Sequence, residues 1–246
     1  MGDKLGLVIP TLNEEANIGE LLDRIRLNLD GLQINDLQID YELLVVDDDS
    51  SDGTGAVVRE YSRSDARVRL LVRQGCRGLA GAVLHGWEHT DANLLGVIDA
   101  DLQHPPELLS ALVTSVQEGH DMAIASRYTA GNGIAGWNPV RKAISQLSTW
   151  ITVPLQKPGI RVKDPLSGFF VLRRTCIAGV RLQPEGFKLL LEILVRGNIR
   201  SVAEIPYHFG LRHGGKSKAS LRVGFDYLQL LGRLSRSAFS RSAGSS

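Results

Sequence analysis

Five short apolar runs, at residues 5–9, 41–46, 68–72, 94–98 and 121–126, alternate with helical segments through the first half of the chain. That alternation limits what the chain can fold into. The first helical segment, about 14–29, places Ile18, Leu21, Leu22, Ile25 and Leu29 on one face. Others run to about Ser64, to about His89, and onward from Pro105. Parallel strands need a crossover between them, and a helix of about this length supplies one. The expectation is therefore an α/β fold with a mostly parallel, doubly wound, Rossmann-like sheet. Such sheets bind ligands beyond the carboxyl ends of their strands, at the point where strand order reverses.

Polar clusters stand at three of those strand ends. Pro10-Thr11-Leu12-Asn13-Glu14 follows the first run and Asp47-Asp48-Asp49-Ser50-Ser51-Asp52-Gly53-Thr54 the second. Asp99-Ala100-Asp101-Leu102-Gln103-His104-Pro105-Pro106-Glu107 follows the fourth. Helix capping accounts for Asp52 and would suit Asn13. It does not account for three adjacent carboxylates, which repel unless a ligand or cation uses them. The two aspartates stand where the fourth strand ends and a loop begins. Side chains two apart on a strand face the same side, so Asp99 and Asp101 can aim at one point, and Gln103 continues the period. Two carboxylates and an amide oxygen form a hard, open site for Mg²⁺ or Mn²⁺, with positions left for phosphate oxygens. The two prolines after it suit the first turn of a helix. No G-x-G-x-x-G follows the first strand and no G-x-x-x-x-G-K-[ST] occurs, which disfavours a dinucleotide dehydrogenase or a P-loop NTPase.

Beyond residue 126 the alternation loosens. Residues 131–138 read as a glycine-rich loop, and 140–155 as a helix with Ile144, Leu147, Trp150 and Ile151 on one face. A turn at Asp164-Pro165-Leu166-Ser167-Gly168 leads into a strand, followed by a helix at about 187–196 and a strand at about 202–209. Residues 212–218 form a basic loop. Residues 219–239 read as a C-terminal amphipathic helix bearing Arg222, Arg233 and Arg236, and 240–246 as a disordered tail. The formal net charge of +1 argues against a nucleic-acid partner. Cys76 and Cys176 have no metal-ligand spacing and read as packing residues of a reducing cytoplasm. No signal peptide is visible, and no uncharged apolar run reaches the roughly 18 residues of a membrane span.

The three clusters together resemble family 2 glycosyltransferases of the GT-A fold. Within that family the chain is similar to the dolichyl-phosphate (polyprenyl-phosphate) mannosyltransferases. The narrower likeness rests on Ser126-Arg127-Tyr128, Gly136-Trp137-Asn138 with Arg141-Lys142 and Ser145, Asp164-Pro165-Leu166-Ser167-Gly168-Phe169, and Arg212 with Gly215-Lys216-Ser217-Lys218. It extends over about residues 5–220, and residues 1–218 are expected to form one catalytic domain. The departures are Leu12, where an aromatic is commoner, and Ala219, where leucine is usual.

The resemblance implies roles. Pro10, Asn13, Glu14, Asp47, Asp49 and Arg77 would hold the nucleotide. Asp99, Asp101 and Gln103 would bind the metal and diphosphate. Arg127, Arg141 and Ser145 would engage the lipid phosphate, with Arg212 and Lys218 closing over the phosphates. Catalysis would rest on Asp101, Arg127, Arg141 and Arg212. The expected reaction is inverting transfer of mannose from GDP-mannose to a polyprenyl or dolichyl phosphate. A lipid phosphomonoester, with a second pKa near 6, arrives ionised and needs no base. The alternatives are a UDP-sugar donor, a sugar-hydroxyl acceptor with Asp164 or Glu192 as base, and a non-catalytic nucleotide-sugar module. The lipid acceptor implies peripheral placement at the cytoplasmic face of a membrane, through interfacial helices at about 137–156 and 219–239. Some members of the family carry transmembrane helices of their own, and others rely on a small membrane-anchoring subunit.

Overall fold

The structure, a computed structural model, describes residues 3–34, 37–128, 152–157, 159–183 and 188–207. The expected loop at 131–138, most of the helix at 140–155, the basic loop at 212–218, the helix at 219–239 and the tail lie outside those residues. So do Arg141, Ser145, Arg212 and Lys218.

Within the described residues a seven-stranded sheet runs in the order β5-β4-β1-β6-β8-β7-β9. Its strands are β1 (Lys4–Thr11), β4 (Asp40–Asp47), β5 (Val68–Val72), β6 (Leu94–Val97), β7 (Met122–Ser126), β8 (Phe170–Arg173) and β9 (Val202–Pro206). Two-residue strands β2 (Gln33–Ile34) and β3 (Leu37–Gln38) pair separately. The helices are α1 (Glu15–Asp30), α2 (Thr54–Ser64), α3 (Leu79–Glu88), α4 (Leu109–Gln117) and α5 (Leu189–Arg196). Within the seven-stranded sheet β8 alone runs antiparallel to its neighbours, pairing with β6 on one side and β7 on the other. The fifth strand of the alternation is thus parallel in direction to the fourth but is not its neighbour. The segment after Pro105 begins as a 3₁₀ turn at Pro106–Leu108 before α4 starts.

Alternating side chains feed two cores. Leu5, Leu7 and Ile9 of β1 and Leu43 and Val45 of β4 join α1, α2 and α4 on one face. Val8, Leu44, Val46, Leu95 and Val97 join α3 and α5 on the other. The stretches Leu7-Val8-Ile9 of β1 and Leu43-Leu44-Val45-Val46 of β4, covered on both sides, are apolar at consecutive positions, which is why their sequence shows runs and no alternation. A Cβ at Gly86 would stand 2.5 Å from Val8 Cγ2, so this glycine lets α3 lie directly on β1. Of the two cysteines, Cys176 is buried as expected, and burial pushes its thiol up to about 11. Cys76 is exposed and packs nothing, because its turn stands clear of both cores. No helix among the described residues is long and apolar enough to cross a membrane.

Candidate active site

The parallel strands β1, β4 and β6 deliver three loops to the carboxyl end of the sheet. Between them lies a cleft of about 310 Å³ walled by Pro10, Thr11, Leu12, Glu14, Asp48, Gly78, Leu79, Asp99, Ala100 and Asp101. Each loop holds one non-glycine residue with positive φ: Asn13 at 58°, Asp49 at 61° and Leu102 at 59°. Asn and Asp tolerate that conformation, but for leucine it costs about 1–2 kcal/mol. Leu102 is held there by burial, at 6% exposed. Such strain, maintained by surrounding structure, is common at functional sites.

Leu102 also changes the account of the carboxylates. Strand β6 ends at Val97, so Asp99 and Asp101 lie in a turn and do not share a strand face. They reach the same cleft because the chain folds back there, with Asp101 accepting a hydrogen bond from the Gln103 backbone N–H at 3.2 Å. Gln103 does not continue a strand period and is not on the cleft wall.

The acidic run after β4 finds internal partners. Asp47 accepts from the Thr11 hydroxyl at 2.9 Å and the Ser50 hydroxyl at 2.5 Å, tying the first loop to the second. Asp48 accepts from Arg73 at 2.7 and 2.9 Å and from the Gly78 N–H at 2.8 Å, which fixes the glycine turn before α3. Asp49 is exposed. Asn13 accepts from the Ser51 N–H at 2.9 Å, and Asp52 from the Glu15 N–H at 3.2 Å. Of the expected nucleotide residues, Pro10 and Glu14 are on the wall, Asn13 and Asp47 brace its loops, and Asp49 and Arg77 stand exposed beside it.

A smaller chamber of about 160 Å³ opens behind Asp99, lined by Val97, Ser167, Gly168, Phe170, Lys188 and Leu190 among others. Lys188 was not singled out from the sequence, where a lysine before an apolar helix reads as solvated. Loss of water pulls its ammonium down to about 8, and Arg127, Asp99 and Asp164 all act on it electrostatically. Arg127, at the end of β7, gives Nε and Nη2 to Asp164 at 2.7 and 2.6 Å, and its backbone N–H at 3.0 Å. Asp164 is fully buried in this pair. Glu192, 3% exposed, accepts from the Gln183 N–H at 3.2 Å and pairs with Arg196 at 3.3 Å.

A divalent cation suits the residues at Asp99. Its Oδ1 is buried without a hydrogen-bond partner among the described residues, leaving a hard oxygen to be satisfied by something else. No three His, Cys, Asp or Glu side chains among the described residues form a ready cation cage. A cation here would lean on Asp99, Asp101 and a bound diphosphate.

Residues 7–179 match the glycosyl transferase family 2 domain. The chain is 41% identical over 232 residues to a dolichol-phosphate mannosyltransferase of Pyrococcus furiosus, spanning 94% of this chain but only 63% of that protein. It is 32% identical over 243 residues to the dolichol-phosphate mannosyltransferase of Saccharomyces cerevisiae, spanning 95% of this chain and 88% of the yeast protein. Among solved structures, a glucosyl-3-phosphoglycerate synthase of Mycobacterium tuberculosis with UDP superposes at TM-score 0.66 and 19% identity, over 94% of this chain and 81% of that one. A mannosyltransferase of Pyrobaculum calidifontis with GDP-mannose and Mn²⁺ superposes at 0.54 and 16% identity, over 84% and 55%. At these identities the structural likeness bears on the fold alone, which is that of the GT-A glycosyltransferases.

Proposed function

The chain belongs to glycosyl transferase family 2, and from that premise we propose that it transfers mannose from GDP-mannose to a polyprenyl phosphate, with inversion. The observation that carries the choice of acceptor is the state of the two carboxylates a hydroxyl acceptor would need as base. Asp164 and Glu192 are 0% and 3% exposed and committed to Arg127, Arg196 and the Gln183 N–H. Neither can reach a substrate proton from there. A phosphate acceptor brings its own charge and needs no base. The relatives named as dolichol-phosphate mannosyltransferases support the same reading.

The nucleotide would lie in the cleft against Pro10 and Glu14, with Asn13, Asp47 and Asp49 on the loops that shape it and Arg77 at its rim. A phosphate oxygen of the lipid attacks the anomeric carbon as the bond from that carbon to the nucleoside diphosphate breaks, giving a β-linked product from an α-linked donor. A divalent cation at Asp99 and Asp101, with Gln103 of the same turn reaching it only by reorienting its side chain, would supply charge neutralisation for the departing diphosphate. Arg127, oriented by Asp164, and Arg141 with Ser145 would steady the lipid phosphate. Arg212, Lys218 and Lys188 would add positive charge where two anions must meet. The lipid acceptor places the enzyme at a membrane surface, and the segments 137–156 and 219–239 are the ones whose composition suits it.

The test is a panel of radiolabelled GDP- and UDP-sugars, each incubated with polyprenyl phosphate and Mn²⁺ or Mg²⁺ and then extracted into organic solvent. Organic-phase label from GDP-mannose above the other donors is the expected result. Label appearing only on water-soluble sugar or protein acceptors would overturn it.

A further inference from the structure

The turn that carries Asp99 is backed by a buried imidazole. His104 is 4% exposed, and its Nε2 lies 3.6 Å from Asp99 Oδ2. Its other ring nitrogen, Nδ1, lies 2.8 Å from the Tyr207 hydroxyl, on a residue 4% exposed that follows β9. Two rings clamp the imidazole, Phe169 edge-on at 5.7 Å between centroids and Tyr207 at 5.4 Å. The Tyr207 backbone N–H donates to the Ser126 carbonyl at 3.3 Å, anchoring the phenol to the end of β7. The imidazole can therefore neither swing nor flip without disturbing the sheet edge.

The partners decide where a neutral ring carries its proton. If the Tyr207 hydroxyl donates to Nδ1, Nε2 is protonated and faces the Asp99 carboxylate. The reverse arrangement would set a lone pair on Nε2 against a negatively charged oxygen. Burial raises the Tyr207 phenol well above its ordinary range, so its hydroxyl keeps its proton near neutral pH. An Nε2–H at 3.6 Å needs a carboxylate shift of about half an ångström to reach normal hydrogen-bond length, a tightening common when a site is filled. On the other side of Asp99, a Cβ at Gly168 would stand 2.7 Å from Asp99 Cγ, so the glycine leaves the room the carboxylate occupies.

We propose that His104 and Tyr207 are positioning residues for Asp99, with Tyr207 setting the tautomer whose Nε2–H holds Oδ2 and leaves Oδ1 for a cation. This rests on the reading of Asp99 and Asp101 as metal ligands. Partners of a metal ligand orient it and tune its basicity, and their loss typically costs about 10–100-fold in metal affinity.

The probe is Mn²⁺ itself, titrated into the full chain with and without GDP and followed by electron paramagnetic resonance. Folding is checked by circular dichroism and thermal melting. His104→Leu should weaken Mn²⁺ binding about 10–100-fold, and Tyr207→Phe about tenfold, the lower end of that range. His104→Gln, whose amide nitrogen can take the place of Nε2, should recover most of the loss. GDP affinity in EDTA should stay at the wild-type value in all three. Folded Tyr207→Phe and His104→Leu proteins that bind Mn²⁺ as wild type would overturn the proposal. If Asp101→Asn abolishes Mn²⁺ binding in that case, only the relay fails. If Asp101→Asn also binds normally, the metal-site reading fails with it.

Discussion

A single methyl group at Gly168 should separate the carboxylate's position from everything else in the fold. The added Cβ of Gly168→Ala would lie 2.7 Å from Asp99 Cγ and nearer still to Oδ2. Ordinary carbon–carbon contacts are about 3.5–4.0 Å, so Asp99 must retreat by about 1 Å. It can do so, because its side chain is 31% exposed and borders open space on both sides. Gly168 takes no left-handed φ, so alanine adds no backbone strain. The stability cost should then fall at or below the low end of the 1–3 kcal/mol usual for overpacking. A reacting group displaced by 1 Å can lose about 100-fold in rate. Mannosyl transfer should fall by that order at saturating GDP-mannose and polyprenyl phosphate, while the urea midpoint moves little. Mn²⁺ affinity should drop alongside turnover. Wild-type turnover and Mn²⁺ affinity in a folded Gly168→Ala protein would refute the claim that Asp99 must occupy this position.

Arg127→Ala should destabilise the protein by about 3–5 kcal/mol, measured by urea unfolding, because it strands the fully buried Asp164 without its partner. The phosphate-binding role is therefore better tested at Arg141. Arg141→Ala should raise the Michaelis constant for polyprenyl phosphate about 10–100-fold with donor affinity unchanged, and a calorimetric loss of donor affinity instead would reassign it. The hydrogen bonds from Arg67 foremost hold the Asp65 carboxyl down at about 2 against an ordinary 3.8. A depressed carboxylate stabilises above its unfolded pKa, so that contribution is lost as pH falls from about 4 towards 2. Asp65→Asn should flatten the stability profile over that window in urea midpoints taken at successive pH values.

The sequence carried the parallel half of the fold because local signals write it. Apolar runs, crossover helices and polar strand ends are all short-range features, and β1, β4, β5 and β6 followed from them. The insertion of β8 between β6 and β7 did not. It is decided by pairing of Phe170–Arg173 with strands about 50 to 75 residues earlier, with no local mark of neighbour or direction. At the site, Asp99 and Asp101 were legible as a pair, but the cause of their convergence was not. Leucine seldom takes a left-handed conformation, so nothing in Leu102 announces the turn. Lys188 carries no local mark of its setting, because the charged groups around it, Arg127, Asp99 and Asp164, are distant in sequence. Tyr207 and His104, 103 residues apart, meet only once the sheet has formed.

The central claim is that the acceptor's nucleophile is a phosphate oxygen, and the most direct measurement is the chemical linkage in the product. Incubating the full chain with GDP-mannose, a divalent cation and a short polyprenyl phosphate, beside the matching polyprenol, yields material for mass spectrometry and ³¹P and ¹³C NMR. The account predicts product from the phosphate alone, as a phosphodiester whose anomeric carbon couples to phosphorus and has the β configuration. Mannose joined through oxygen to the polyprenol, or an α-linked mannosyl phosphate, would contradict it.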